Sequence, residues 1–313
     1  MKNTRNILMI VFILSGLHSY SQQEGMISQF SINKLTINAG YAGYRDKPSL
    51  FLAHRQQWVG FSGAPRSSIL SFDTQLGKSQ VGVGGSLIQS KIGPLSTTEI
   101  AGYVAVKTRL SNNAKISWGF NIGAQMNQIN LADLRTSSDL TTPQDDALLV
   151  NAGAQIYPQL GFGMFYYKRD TYFGVSIPKL IVVKSMTNRN SEIDLSKPNV
   201  RSVYLMGGKH FKLNKSLSIN PNGYFIGTWN SPVTLGTAVN VIYNNDYSLG
   251  LYYTLLQSVG IQFQWQMDKQ IRISYAMDLA TNSLLKTNFG SHEFAINYIL
   301  SSKGKRIVHP KYF

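Results

Sequence analysis

The 313-residue chain is long enough for one large domain or two ordinary ones, yet only 14% of it is charged, well below the roughly one quarter of a soluble protein. That shortfall implies that part of its surface faces something other than water. Cysteine is absent, which excludes disulfides, thiolate catalysis and cysteine metal sites, while a formal charge of +15 admits nucleic acid or anionic lipid as a partner.

Residues 1–21 read as a secretory signal peptide. Lys2 and Arg5 lead, an apolar run covers 7–14, and Ser19 and Ser21 suit a cut before Gln22. The run is too short for a helical span, and no later stretch reaches about 18 uninterrupted apolar residues. A mature chain of about +13 therefore crosses one membrane and has no helical anchor.

Beyond residue 47 the dominant period is two. Ile116, Trp118, Phe120 and Ile122 alternate with Ser117, Gly119, Asn121 and Gly123. Leu235, Val239 and Val241 alternate with Gly236, Ala238 and Asn240, and Val259, Ile261, Phe263 and Trp265 with Gly260, Gln262 and Gln264. These are β-strands with one apolar face and one small or polar face. In chain order the pattern predicts strands over 48–58, 66–76, 79–91, 95–109, 114–128, 154–167, 170–178, 199–212, 215–228, 232–243, 246–256, 258–267, 269–279 and 290–300. A length of about ten residues is what a tilted strand needs to cross a bilayer. Pro158 and Pro178 interrupt two of these segments, and Pro221 predicts a bulge in a third.

The connections carry a second signal. Short turns (Gly77-Lys78, residues 111–113, Lys168-Arg169-Asp170, Leu213-Asn214-Lys215, Asn244-Asn245-Asp246, Asp268-Lys269) alternate with ends that include every long loop: 59–65, 129–153, 179–198 and 280–289. The short gap near Gln257 breaks the parity. Alternation of short periplasmic turns with longer outside loops is the habit of outer-membrane barrels. In hydrocarbon an open sheet edge has no partners, so such strands must close on themselves. The expectation is an all-β, antiparallel transmembrane barrel of about fourteen strands over 48–300. A periplasmic N-terminal segment (22–47) precedes it and a basic tail (301–313) follows.

Lys78, Lys168, Arg169, Lys215 and Lys269 sit at the short turns, and Lys303, Lys305 and Arg306 in the tail. This basic rim suits phospholipid headgroups or a periplasmic docking partner. A nucleic-acid groove would need cations interleaved with stacking aromatics along one face, which this ring is not.

The first long end holds Arg55-Gln56-Gln57-Trp58-Val59-Gly60-Phe61-Ser62-Gly63-Ala64-Pro65. Trp58 and Phe61 suit interface anchors, Gly60 and Gly63 a chain reversal, and Pro65 a stiff return; a second use is contact with a partner at the mouth. Arg55 is expected to pair inside the lumen. Together with Asn38-Ala39-Gly40-Tyr41-Ala42-Gly43 and Gly290-Ser291-His292-Glu293-Phe294, this block resembles the PorP/SprF family of type IX secretion. Ala39 stands where the family usually has proline. The resemblance implies a non-enzymatic outer-membrane accessory that helps export or retain a secreted cargo, often an adhesin, in some members for gliding. It also implies possible contact of the family-motif residues Arg55, Gln57, Trp58, Gly60, Phe61, Gly63, Ala64, Pro65, Ser291, His292 and Glu293 with a partner.

Signs of chemistry are scarce. No two histidines have metal-ligand spacing, and strand alternation sends His292 and Glu293 to opposite faces. Asp133, Asp139, Asp145 and Asp146 share one long loop with a spacing that matches no calcium loop. The glycine-rich 82–85 and 161–163 stretches lead into no helix, so they leave room inside a barrel rather than cradle phosphate. No cofactor or metal is expected. A diffusion porin is the alternative that the same alternation allows; an outer-membrane hydrolase is a third, lacking a convergent set of Ser, His and acid.

Overall fold

A computed structural model describes residues 30, 32–110, 114–129, 154–183, 201–228 and 231–300. The wall consists of β1 (Ser49–Gln56), β2 (Arg66–Gln75), β3 (Val81–Ile92), β4 (Leu95–Arg109), β5 (Ala114–Ile129), β6 (Gln155–Lys168) and β7 (Thr171–Val182). It continues through β8 (Ser202–Lys209), β9 (Phe211–Lys212), β10 (Leu217–Thr228), β11 (Thr234–Tyr243), β12 (Tyr247–Thr254), β13 (Ser258–Gln266), β14 (Ile271–Ala280) and β15 (Ser291–Ile299). β8 and β9 are two pieces of one staves-length strand, giving a 14-strand barrel. Every neighbour is antiparallel, and β1 pairs with β15 from Ser49↔Ile299 to Gln56↔His292, so the sheet closes without an edge. Each predicted strand is present within a few residues.

Burial is inverted relative to a soluble protein. Ile122, Phe120, Leu251 and Leu249 are 68%, 64%, 65% and 61% exposed, whereas Ser117, Asn121, Asn240, Gln262 and Ser274 are buried. An apolar belt this extensive belongs against lipid. Among the described residues no helix is long and apolar enough to cross a membrane.

Proline shapes the wall in two places. Opposite Gly161, β7 carries Pro178, Lys179 and Leu180, and the β6–β7 register shifts there. A side chain at Gly161 would run into the Pro178 carbonyl. The bulge lets β7 continue to Val182, beyond the expected end at residue 178. The bulge expected at Pro221 does not form, because β10 keeps an unshifted register with β11 and with both β8 and β9. Instead the neighbouring strand breaks at His210, beside a proline that offers no N–H to the ladder.

The larger correction concerns the N-terminal segment. Expected in the periplasm, its described residues lie inside the barrel: Phe30, Ile32, Asn33, Lys34, Leu35 and 38–44 are all buried. Composition explains the difference. Small residues and aromatics with little charge gain more from lining a lumen than from solvation. The turn 111–113, the loop residues 130–153 and 184–200, the leader and the tail lie outside the described residues. So do Asp133, Asp139, Asp145, Asp146, Lys303, Lys305 and Arg306.

Candidate functional site

The lumen is occupied by a chain that touches most of the wall. From the bottom of β1 it runs inward past Gly43, whose N–H donates to Asp73 Oδ2 at 2.9 Å. A 3₁₀ turn follows backwards over Ala39–Tyr41, capped by Asn38, whose Oδ1 accepts from Gly40 N at 2.9 Å. The same side chain donates to the carbonyls of Met164 (2.9 Å) and Val175 (3.3 Å), fastening the turn to β6 and β7. Ser176 donates to Ile37 O at 2.7 Å and Asn33 to Ser71 Oγ at 3.0 Å. Ile32 packs with Phe51, Ala53, Ile69 and Ala295, while Phe30 reaches Ala238, Tyr252 and Ala276 on the far side. The plug thus spans the lumen from side to side.

Two wall glycines make this seat possible. A Cβ at Gly119 would collide with the backbone of Ala39 and Gly40, and one at Gly82 with the Ala42 carbonyl. Neither neighbour is a side chain that could swing away. At the short-turn end Lys107 donates to the Gly43 carbonyl and reaches Asp46 Oδ1 at 3.0 Å and Gln75 Oε1 at 2.8 Å. Arg45 bonds Ser49, Asn297 and the Ile32 carbonyl at 2.9–3.0 Å.

Around the turn the lumen is lined by aromatic rings. Tyr41, Tyr44, Phe165, Tyr167 and Tyr172 form a contiguous set with ring centroids 4.7–5.9 Å apart. Lys34 lies 4.8 Å from the Tyr172 ring centroid and 5.9 Å from that of Tyr41. Burial, reinforced by Arg45 and Arg272, holds the Lys34 ammonium well below its ordinary 10.5. The Tyr41 hydroxyl is pushed up to about 12, mainly by burial.

A base with a depressed folded pKa loses its burial cost as pH rises toward the unfolded value, because the unfolded state binds more protons in that window. Hydrogen-exchange protection of the plug in detergent should therefore increase as pH rises toward the ordinary 10.5. Lys34→Met should flatten that rise. An unchanged slope in the variant would show that Lys34 is not its source.

Higher in the lumen, Arg55 bridges Asp278 Oδ2 at 2.8 Å and Glu293 Oε2 at 3.5 Å, and Tyr252 donates to Asp278 at 2.9 Å. The expected internal pairing of Arg55 is present, and it ties β1 to β14 and β15 at the closing seam. His292 faces outward, its Nδ1 2.7 Å from the Tyr275 hydroxyl, so His292 and Glu293 do occupy opposite faces.

The loop after β1 is a rigid knuckle. Trp58, Gly60 and Gly63 have φ of 45°, 93° and 73°. Phe61 N donates to Trp58 O, Gln57 N to Pro65 O, and Gly93 N to Gly63 O, at 2.9–3.0 Å. Ala64 N donates to Phe61 O at 3.2 Å. Val59 and the 289–290 stretch exchange backbone bonds of 2.8 Å, and Trp58 N lies 3.4 Å from Ser291 Oγ. The Arg55–Pro65 and Gly290–Phe294 blocks of the family motif, far apart in sequence, therefore meet at the barrel mouth. The third, around Asn38, sits apart as the plug.

A family model for "Type IX secretion system membrane protein PorP/SprF" matches residues 19–298. The chain belongs to the PorP/SprF family. It is thus a type IX secretion-associated barrel of the outer membrane. No curated protein matches the chain. Solved structures that resemble it include the toluene transporter TodX of P. putida, at 12% identity over 91% of this chain and 94% of that one, TM-score 0.43. The KdgM porin is 11% identical over 81% and 99%, TM-score 0.38. A Pseudomonas aeruginosa FadL homologue is 10% identical over 81% and 90%, TM-score 0.42. These likenesses are too remote to bear on function.

In this PorP/SprF barrel the rim residues Lys78, Lys168, Arg169, Lys215 and Lys269 are all exposed at short turns. They share that end with the exposed acids Asp170, Asp246 and Asp268. Backbone N–H groups of Gln270 and Ile271 donate to Asp268 at 2.7 Å and hold its carboxyl below the usual range. Sequence reasoning missed Lys34, Asp73, Lys107 and Asn33 as members of the lumen. The available signal was the turn-rich run Asn-Ala-Gly-Tyr-Ala-Gly-Tyr ahead of the first strand, too apolar for a solvated linker.

Proposed function

We propose that this barrel is a non-enzymatic accessory of type IX secretion that helps export a secreted, adhesin-like cargo or hold it at the cell surface, with gliding as one use. Its partners on this reading are outer-membrane lipid, the cargo and components of the secretion machinery. A secretory leader ending before Gln22 delivers it. The observation that carries the reading is the plug: a segment bonded to strands on several sides of the lumen leaves a solute channel the poorer account. The knuckle at the mouth, with Phe61 and Phe289 exposed, supports a role in contact rather than conduction.

Deletion of the gene should abolish surface display of an adhesin-like type IX cargo while other secretion continues. Normal display of every such cargo in the deletion strain would end the proposal. Purified protein in planar bilayers should carry no steady current, whereas a defined solute-selective conductance would favour the channel.

A further inference from the structure

The long-loop end of the barrel carries large apolar side chains where acyl chains do not reach them. On β1 and β2 the outward pair Leu52 and Leu70 is apolar and exposed. The next two outward pairs are polar: His54 with Ser68, then Gln56 with Arg66. On β15, His292 pairs with Gln56 and continues this band, its Nε2 3.3 Å from the Phe289 carbonyl. The hydrocarbon therefore ends below the band. Beyond it, on the loops joining β1 to β2 and β14 to β15, Phe61, Leu285 and Phe289 are 48%, 48% and 76% exposed.

These side chains stand on a stiff base. The Phe289 ring lies over Gly60, where a Cβ would come within 2.9 Å of its Cδ2. Phe61 makes an edge contact with Trp58, ring centroids 6.5 Å apart. Trp58 itself has φ of 45°, a left-handed backbone that is strained for a bulky residue. The 282–290 loop is wound on itself. Leu284 N donates to Asn282 Oδ1 at 3.1 Å, Thr287 N to Leu284 O at 3.0 Å, and Gly290 N to Asn288 Oδ1 at 2.8 Å. An exposed apolar patch rimmed by polar groups marks a protein contact, and a preorganised one loses less on binding.

Charge narrows the partner. Arg66 and Lys286 are exposed beside the patch. Among the described residues the exposed acids, Asp46, Asp170, Asp246 and Asp268, all lie at the opposite, short-turn end. A cationic rim around apolar anchors complements a partner that sets acids around its own apolar side chains. The long-loop end of an outer-membrane barrel faces outside, and the plug spans the lumen beneath it, so a protein meets the patch only after it has left the cell.

We infer, on the accessory role proposed for the barrel, that this patch holds an already exported, acidic polypeptide by its large apolar side chains. The barrel then retains cargo at the surface rather than moving it across the membrane.

The test puts a photo-crosslinking benzoylphenylalanine in place of Leu285 in the full-length protein, expressed in its native cells. Irradiation of intact cells should give an adduct with an exported protein whose linked segment carries net negative charge. Protease added outside the intact cells should remove that adduct. Phe61→Ser/Phe289→Ser and Arg66→Glu/Lys286→Glu should each lower its yield about tenfold or more, as loss of aromatic anchors or complementary charge does. Both variants should keep the wild-type folded-to-unfolded gel shift. The same crosslinker in place of Lys269, on the short-turn rim, should not give the adduct. An adduct only with lipid, with a second copy of this chain or with a protease-protected periplasmic protein would overturn the proposal. So would no adduct, or a yield unchanged in both variants. Loss of surface display on gene deletion without an exported adduct at position 285 would leave the accessory role standing and remove this patch from it.

Discussion

Gly119→Val should expel the N-terminal segment from the lumen while leaving the barrel wall closed. The new side chain would occupy the space of the Ala39 and Gly40 backbone. Overpacking against movable side chains costs ~1–3 kcal/mol. Here the obstacle is main chain held by Asn38 to β6 and β7, so the cost reaches or exceeds the top of that range. The easier relief is for the plug to leave. Trypsin should then cut after Lys34 and Arg45, both protected in the wild type, and a steady bilayer conductance should appear. Gly85→Ala is the matched control: its Cβ would lie 3.8 Å from the nearest atom, Ala101 O, so the plug should stay seated. If Gly119→Val kept both sites protected, the close approach that defines the seat would be wrong.

Arg55→Met should be the most damaging change in the wall. It removes the cation from a cluster in which Asp278 and Glu293 are 4% and 1% exposed. Breaking a buried ion pair by deleting one partner typically costs ~3–5 kcal/mol, because the remaining charge keeps its desolvation penalty. The affected strands meet where the sheet closes, so the loss should appear as a lower temperature for the folded-to-unfolded gel shift. Neutralising the acids together with the arginine, in Arg55→Met/Asp278→Asn/Glu293→Gln, should recover most of the loss. A triple variant no more stable than Arg55→Met would mean that packing, not charge, is what Arg55 supplies.

Much of the wall was legible because its rule is local. The 116–126 stretch shows why: its Gly/Ser/Asn positions and its Ile/Trp/Phe positions must lie on opposite faces of any strand. The predicted segments at 95–109 and 114–128 correspond to Leu95–Arg109 and Ala114–Ile129. Proline was read less well. Pro178, expected only to interrupt its segment, lies in a bulge, whereas Pro221, where a bulge was expected, keeps its register while the adjacent strand breaks at His210. Arg55 was expected to find a lumenal partner, yet its acids come from strands more than two hundred residues away in the chain, and one sequence does not pair them.

Alternation alone established that this chain makes long two-faced strands and that the strands must close into a lipid-embedded cylinder. It could say nothing about what fills the cylinder, because a polar inward face is compatible with water, side chains or another piece of chain. Only the tertiary structure put residues 32–44 there, matched Gly82 and Gly119 to a backbone passing within contact, and brought the Trp58 loop against Gly290. Those contacts join segments with no shared periodicity, and shape complementarity between distant segments is decided by packing, not by local pattern.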